Sequence, residues 1–213
     1  MNPEGGARKR LHPALKAVAA LAALAVVGYL FMRSVQDVRA EPYEIASAHL
    51  SGWTLSSDTA QDAEDAALTL RPPAELPMNL FRQLFRRQME SLSTPSAPGI
   101  ALALRRELAP GVTAAQLLAL GREAGLDRAR LTPRCVGYRR VSATGVTRQL
   151  YFVWFLLGEY DAFRRLLAPH ATATYRPENL SPVMLTAAEP GFNGWQPVVV
   201  DEARDCVAPI TVR

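Results

Sequence analysis

Apolar positions follow three different rhythms along this chain, and each predicts a different kind of element. The first is an unbroken run, LKAVAALAALAVVGYLFMRSV over residues 15–35. From Ala14 to Met32 it holds 19 residues with Lys16 as the only charge. At ~1.5 Å per residue such a helix is roughly 28 Å long, close to the ~30 Å hydrocarbon core of a bilayer. The second rhythm is helical. Phe81, Leu84, Phe85, Met89 and Leu92 form one stripe from Leu80 onward, with Arg82, Gln83, Arg86, Arg87 and Glu90 opposite, which predicts a surface helix packing on a core. Tyr160, Phe163, Leu166 and Leu167 in EYDAFRRLLA repeat the pattern. The third is the rhythm of strands, clearest in CVGYRRVS and TRQLYFVWFLL, joined by ATGV with Gly145 in the connection, a β-hairpin signature.

In the second strand of that hairpin Leu150, Phe152, Trp154 and Leu156 face one way, and Tyr151, Val153, Phe155 and Leu157 the other. A strand with one wet face alternates apolar and polar; this one does not, so it is expected to be central and covered on both sides. EYDAFRRLLA is the candidate helical cover, and Trp154 is expected to be a large buried ring. The other cover is open between a second layer, an apolar ligand and a partner. Shorter strands are expected at YEIASAHLSGWTLS (43–56, with a kink at Gly52), at AALTLR, ended by RPP, and at the terminal DCVAPITVR. Residues 58–65 read as an acidic turn, and GIALALRREL has no assignable state. Thr113 and Gln116 have the spacing of a capping box, and Gly125 is placed to end the helix that follows. The 30 residues from Ala168 to Pro197 are irregular apart from PVMLTAA, and long irregular segments in compact domains carry function, so a site is expected there.

Charge sets orientation. Arg8, Lys9, Arg10 and Lys16 crowd the amino-terminal flank of the apolar run, whereas Arg33 and Arg39 on the far side mix with Asp37, Glu41 and Glu44. Basic flanks stay inside, so residues 1–13 are expected to be a cytoplasmic tail, 14–33 a transmembrane anchor and 34–213 an extracytoplasmic domain, periplasmic in a bacterial-type envelope. The rival is a signal peptide cleaved after Ala40, since Val38 and Ala40 satisfy the small-residue pattern. A 16-residue apolar core and charges at Arg33, Asp37 and Arg39 favour the anchor. The formal +4 and pI ≈ 9.4 suggest nucleic acid, but residues 1–40 supply the whole excess and 41–213 are neutral, so no nucleic-acid partner is expected. Within the outer part, residues 41–70 sum to −6 and residues 71–140 to +7. The acidic entry is therefore expected to face the arginine-rich middle. The pairs Arg86–Arg87, Arg105–Arg106 and Arg139–Arg140 are candidates for a basic patch.

Candidate chemistry is sparse. Cys135 and Cys206 are the only cysteines, and in an oxidising compartment a lone pair reads as a disulfide. They and the outer His49 and His170 do not form a recognisable zinc spacing, so no metal or cofactor is expected. The hydrolase, zinc-protease and phosphate-loop motifs are absent from the sequence. Glu159 and Asp161 sit where a helix N-terminus favours negative charge, which explains them without catalysis. Arg139, Arg140, His170, Tyr175 and Trp195 remain as a candidate ligand or partner surface. The expected architecture is α+β: one N-terminal transmembrane helix, then one extracytoplasmic domain with a mainly antiparallel sheet and packed helices. The expected role is a non-enzymatic accessory or assembly subunit of a membrane or envelope complex, with a protein partner in or at the membrane. A binding domain for a small apolar or anionic ligand, and a hydrolase of unfamiliar pattern, are the alternatives.

Overall fold

A computed structural model of the chain describes residues 13–57, 66–88, 91–96, 98–143, 146–189 and 199–213. It divides into two units, meeting between Arg39 and Ala40. The first is the helix α1 (Pro13–Ala40), whose stretch Ala17–Ser34 is apolar and solvent-exposed throughout. It is long and apolar enough to cross a membrane. The helix does not stop near Arg33 but continues to Ala40. Residues 58–65, Met89, Glu90, Gly145 and Trp195 lie outside the described residues.

The second unit is α+β. Among the described residues it holds one eight-stranded sheet in the order β1-β8-β5-β6-β7-β4-β3-β2. The strands are β1 (Tyr43–Ile45), β2 (Thr54–Ser56), β3 (Ala66–Arg71), β4 (Ile100–Leu104), β5 (Thr132–Ala143), β6 (Val146–Leu156), β7 (Val183–Ala188) and β8 (Cys206–Val212). The helices are α2 (Glu75–Gln88), α3 (Ala114–Glu123), α4 (Gly158–Leu167) and the single turn α5 (Glu202–Asp205). Every pairing is antiparallel except β1 with β8.

Residues 43–56 are not one strand. A 3-10 turn at Ser47–Leu50 and Gly52, with φ +75°, split them into β1 and β2, which lie at opposite edges of the sheet. Flat, those edges would stand about 34 Å apart at ~4.8 Å per strand. The nine Cα steps from Ile45 to Thr54 reach at most ~31 Å fully extended, and less through a 3-10 turn. The sheet is therefore curled. Its concave side holds the main core, where Leu80 and Leu84 of α2, Leu117 of α3 and Tyr160, Phe163 and Leu167 of α4 meet Tyr151, Val153, Phe155 and Leu157. Trp53, from the connector that joins the two edges, sets its ring edge-on to Phe155 at 5.4 Å, and its indole N–H donates to the His49 carbonyl at 3.0 Å.

The hairpin β5–β6 is continuous from Thr132↔Leu156 to Ala143↔Val146 with one irregularity, and β6 is interior, as its two apolar faces require. The convex face is covered more thinly: Phe152 and Val183 pack with Trp154 and Val200, and Leu150 with Leu185, Ala188 and Val141. Trp154 is only half-buried and Leu156 is 44% exposed, so Trp154 is not the buried ring its flanking residues suggest. Two segments of uncertain state resolve as interior strands. GIALALRREL contains β4, every residue of which is buried, and PVMLTAA supplies β7 between β6 and β4. The capping box forms as expected, with Gln116 N–H donating to Thr113 Oγ1 at 3.3 Å and Thr113 N–H to Gln116 Oε1 at 2.8 Å. Gly125 ends that helix at φ +83°.

Helix α2 differs most from expectation. It begins at Glu75 and buries Leu76, Pro77, Leu80 and Leu84, so of the expected stripe Leu84 is buried while Phe85 stays exposed. Gln83 and Arg87 are not on a solvent face. The Gln83 amide accepts from Glu44 N–H at 2.9 Å and donates to Glu44 O at 2.8 Å, standing in for a neighbouring strand on the outer edge of β1. Arg87 donates to Pro42 O at 3.0 Å and to Glu41 O, and its guanidinium lies 4.1 Å from the centre of the Tyr43 ring. The arginine-rich middle thus holds the acidic entry by its backbone, while the Glu44 carboxylate pairs with Arg213 at 2.5 Å.

Candidate functional site

Four features of the second unit carry the polar and exposed apolar side chains from which a function can be built. The first is buried. Arg164, 1% exposed, lies on the inward face of α4 and uses all of its donors. Its two terminal nitrogens meet Glu107 Oε1 and Oε2 at 2.7 and 2.9 Å, and they also reach Arg176 O at 3.1 Å and Leu102 O at 3.2 Å. Its Nε donates to Pro177 O at 3.1 Å. Glu107 Oε2 also accepts from Leu104 N–H at 2.8 Å. The Tyr175 ring lies beneath the guanidinium at 4.6 Å, and its hydroxyl donates to Arg164 O at 2.6 Å. Burial pushes the Tyr175 hydroxyl up to about 12, against the pull of Arg164. Burial likewise raises Tyr160, whose hydroxyl donates to Leu180 O at 2.8 Å. This centre is a saturated knot tying β4, the turn after it and the irregular segment to α4. Its donors are committed to fixed partners, so none is offered to a ligand.

The second feature is a groove of about 530 Å³ lined by Tyr138, Arg139, Arg140, Arg204 and Asp205. Asp205, 3% exposed, is held well below the usual carboxylate range by hydrogen bonds from Arg204, against the opposing effect of burial. Arg204 Nε donates to its Oδ1 at 2.9 Å, Asp201 N–H to its Oδ2 at 2.8 Å, and Arg139 also pairs with Oδ2. The third is a cleft of about 490 Å³ between the turn at residues 47–53 and the segment 126–131, with Leu50, Trp53, Leu126 and Leu131 beside Arg128 and Arg130.

The fourth is the outer side of α2. Phe85 is 52% and Met78 45% exposed, Phe81 stacks on Phe85 at 6.0 Å, and Arg82 is exposed beside them. Of the stripe expected to pack on the core, Leu84 and Leu92 are buried in it and Phe81 packs against its margin, whereas Phe85 turns outward.

No protein-family model, curated protein or solved structure matches the chain.

The expected surface does not assemble. Arg139 and Arg140 line the groove, whereas Tyr175 belongs to the buried knot and to a separate cavity of about 250 Å³ with Arg106 and Asn179. His170 ends a 3-10 turn, where its carbonyl accepts from Ala109 N–H at 2.9 Å. Trp195 lies outside the described residues. Cys135 and Cys206 are joined, 5.7 Å apart at Cα, pinning β8 to β5. Glu159 and Asp161 occupy the first turn of α4, as their helix-terminus role requires. Among the described residues no three His, Cys, Asp or Glu lie close enough to hold a metal ion.

Proposed function

We propose that the protein is a membrane-anchored, extracytoplasmic accessory or assembly subunit, non-enzymatic, whose outer domain docks a protein partner at the membrane. The observation that carries this reading is the exposed pair Met78 and Phe85 on α2, with Phe81 half-buried against the core and stacked on Phe85. An amphipathic helix normally turns one apolar face to its core and a polar face to water. Here the exposed side of the helix carries Met78 and Phe85 beside Arg82 and Arg86, and exposed large apolar groups grouped in a patch mark interaction sites. The same helix grips the chain at Glu41, Pro42 and Glu44 through Arg87 and Gln83, a few residues after α1. A partner seated on α2 would therefore meet the domain close to where it leaves its tether. α1 supplies the anchor, and the Cys135–Cys206 disulfide favours an oxidising compartment outside the cytoplasm.

Co-purification in mild detergent tests the reading. The wild-type chain is expected to bring down a stoichiometric membrane protein, and Phe85→Ser to lose it while its disulfide and thermal unfolding stay normal. A wild-type chain that purifies alone, or undiminished capture by Phe85→Ser, would refute it. The second reading, a binding domain for a small apolar or anionic ligand, draws on the cleft beside Trp53, where apolar side chains meet Arg128 and Arg130. On this reading the ligand would sit against the turn at residues 47–53 rather than under the irregular segment 168–197.

A further inference from the structure

The β5–β6 hairpin outruns the sheet that holds it. β8 pairs with β5 only as far as Gly137, and β7 pairs with β6 only from Leu150 to Trp154, yet β5 and β6 stay paired out to Ala143 and Val146. Beyond the bond from Glu189 N–H to Gln149 O at 3.2 Å, no third strand among the described residues flanks this ribbon. Residues 138–149 contain Arg139, Arg140 and Arg148 and no acidic residue. Arg139 turns back to Asp205, and Arg140 is exposed, its Nε donating to Tyr138 Oη at 2.8 Å. Arg148 is half-exposed, level with Val141.

The register gives the ribbon a direction. β1 runs parallel to β8 with Tyr43 level with Ile210, while β5 runs antiparallel to β8 with Gly137 level with Cys206. From Tyr43, the path to the ribbon tip therefore runs back along β1, toward the end at which the chain enters the sheet. Four residues of β8 and three or four of β5 put Arg140 and Arg148 roughly 23–26 Å past Tyr43, at ~3.3 Å per residue. The apolar window of α1 closes at Ser34, and the helix ends at Ala40. Six helical residues and three extended ones allow a tether of at most about 19 Å from the hydrocarbon edge to Tyr43. The ribbon is longer than the tether.

We propose that this ribbon is a second membrane contact, in which Arg140 and Arg148 bind anionic lipid headgroups of the leaflet facing the domain. The inference rests on the reading of α1 as a membrane anchor. Anionic headgroups attract a nearby arginine with a strength worth roughly fivefold in occupancy, so the two residues together contribute about 30-fold. Lipid fits better than an acidic protein because the chain allows Tyr43 at most about 19 Å from the hydrocarbon edge, less than the ribbon's own reach past Tyr43, so headgroups are anions within range of these two charges.

The test is hydrogen exchange of the full chain in bilayer discs, with and without phosphatidylglycerol in a phosphatidylcholine background. Amides of 138–149 are expected to exchange up to about 30-fold more slowly in the anionic discs. That difference should vanish in Arg140→Gln/Arg148→Gln and in about 1 M salt, where charges are screened within a few ångströms. Unchanged exchange in β7 shows that the double variant is folded. Equal exchange in the two lipids would overturn the inference alone, as would protection that appears only on adding an acidic protein. A chain that does not enter bilayers at all would overturn the anchor reading and this inference with it.

Discussion

Replacing Glu107 by Gln changes almost nothing in shape and removes the carboxylate that, among the described residues, pairs with Arg164. The guanidinium would remain 1% exposed, still bonded to the carbonyls of Leu102, Arg176 and Pro177 but with no counter-charge. Breaking a buried pair in this way costs about 3–5 kcal/mol, against a total stability of ~5–15 kcal/mol for a domain. Arg164→Met should cost as much or more, since it strands the Glu107 carboxylate and leaves the buried Leu102 carbonyl short of a donor. The double variant should fall short of the sum by about 2 kcal/mol or more, because neither charge is then left alone. Guanidinium unfolding of the detergent-solubilised chain, followed by fluorescence of Trp53 and Trp154, measures all three. A cost below about 1 kcal/mol for Glu107→Gln would refute the reasoning, since it would mean that water already solvates the guanidinium.

Gly137→Ala should destabilise by about 1–3 kcal/mol, because its Cβ would overlap the Phe152 ring in the paired strand, and thermal unfolding will show it. Asp205→Asn should cost about 2 kcal/mol at pH 7, where the wild-type carboxylate is ionised and bonded to Arg204 and Arg139. Because its pKa is depressed in the folded state, that contribution is present above about pH 4 and is lost as pH falls further, so the two proteins should converge in stability in acid. At the other extreme, Tyr175 holds its proton to about 12 when folded but to ~10 when unfolded, so stability should fall as pH rises through that window, with tyrosinate absorbance appearing late. Cys135→Ser/Cys206→Ser should lower stability by about 4 kcal/mol in the chain-entropy account of a loop spanning 71 positions, read by the same denaturation assay.

Features governed by local chemistry are legible in the chain: the hairpin, the Thr113–Gln116 box, the Gly125 stop and the cysteine pair all stand where their residues predict. What failed depends on the neighbours. β4 is a five-residue apolar run, too short for its period to separate strand from helix, and prolines around β7 masked an interior strand. In α2 the stripe through Phe81 and Phe85 looked like core, although Leu76, Leu80 and Leu84 fill it and Phe85 stays exposed. The buried arginine did leave a signal. At ~100° per residue Arg164 lies only about 40° from Tyr160, at the edge of the stripe of Tyr160, Phe163 and Leu167, whereas Arg165 lies about 140° away in solvent. A charge bordering an apolar stripe asks for a partner, but nothing local identifies Glu107, 57 positions earlier, as that partner. The scatter of Arg139, Tyr175 and His170 has the same origin, because adjacency in an irregular segment says little about adjacency in space.

The parallel pairing of β1 with β8 also fixes the order in which the domain can finish folding. Tyr43–Ile45 leaves α1 first, yet its partner, Ile210–Val212, is among the last residues of this sequence to be made. Until β8 arrives, β1 has no strand to pair with, and Tyr43 and Ile45, both fully buried in the finished domain, lack half of their cover. Loop closure over so many residues is slow, and strands left unpaired meanwhile are prone to wrong partners. Gln83 and Arg87 come from α2, well before β8 in the chain, and their grip on Glu41, Pro42 and Glu44 can form while the sheet is still incomplete. They act as a placeholder, keeping the entry strand aligned and its outer edge covered until the carboxyl-terminal strand closes the other side.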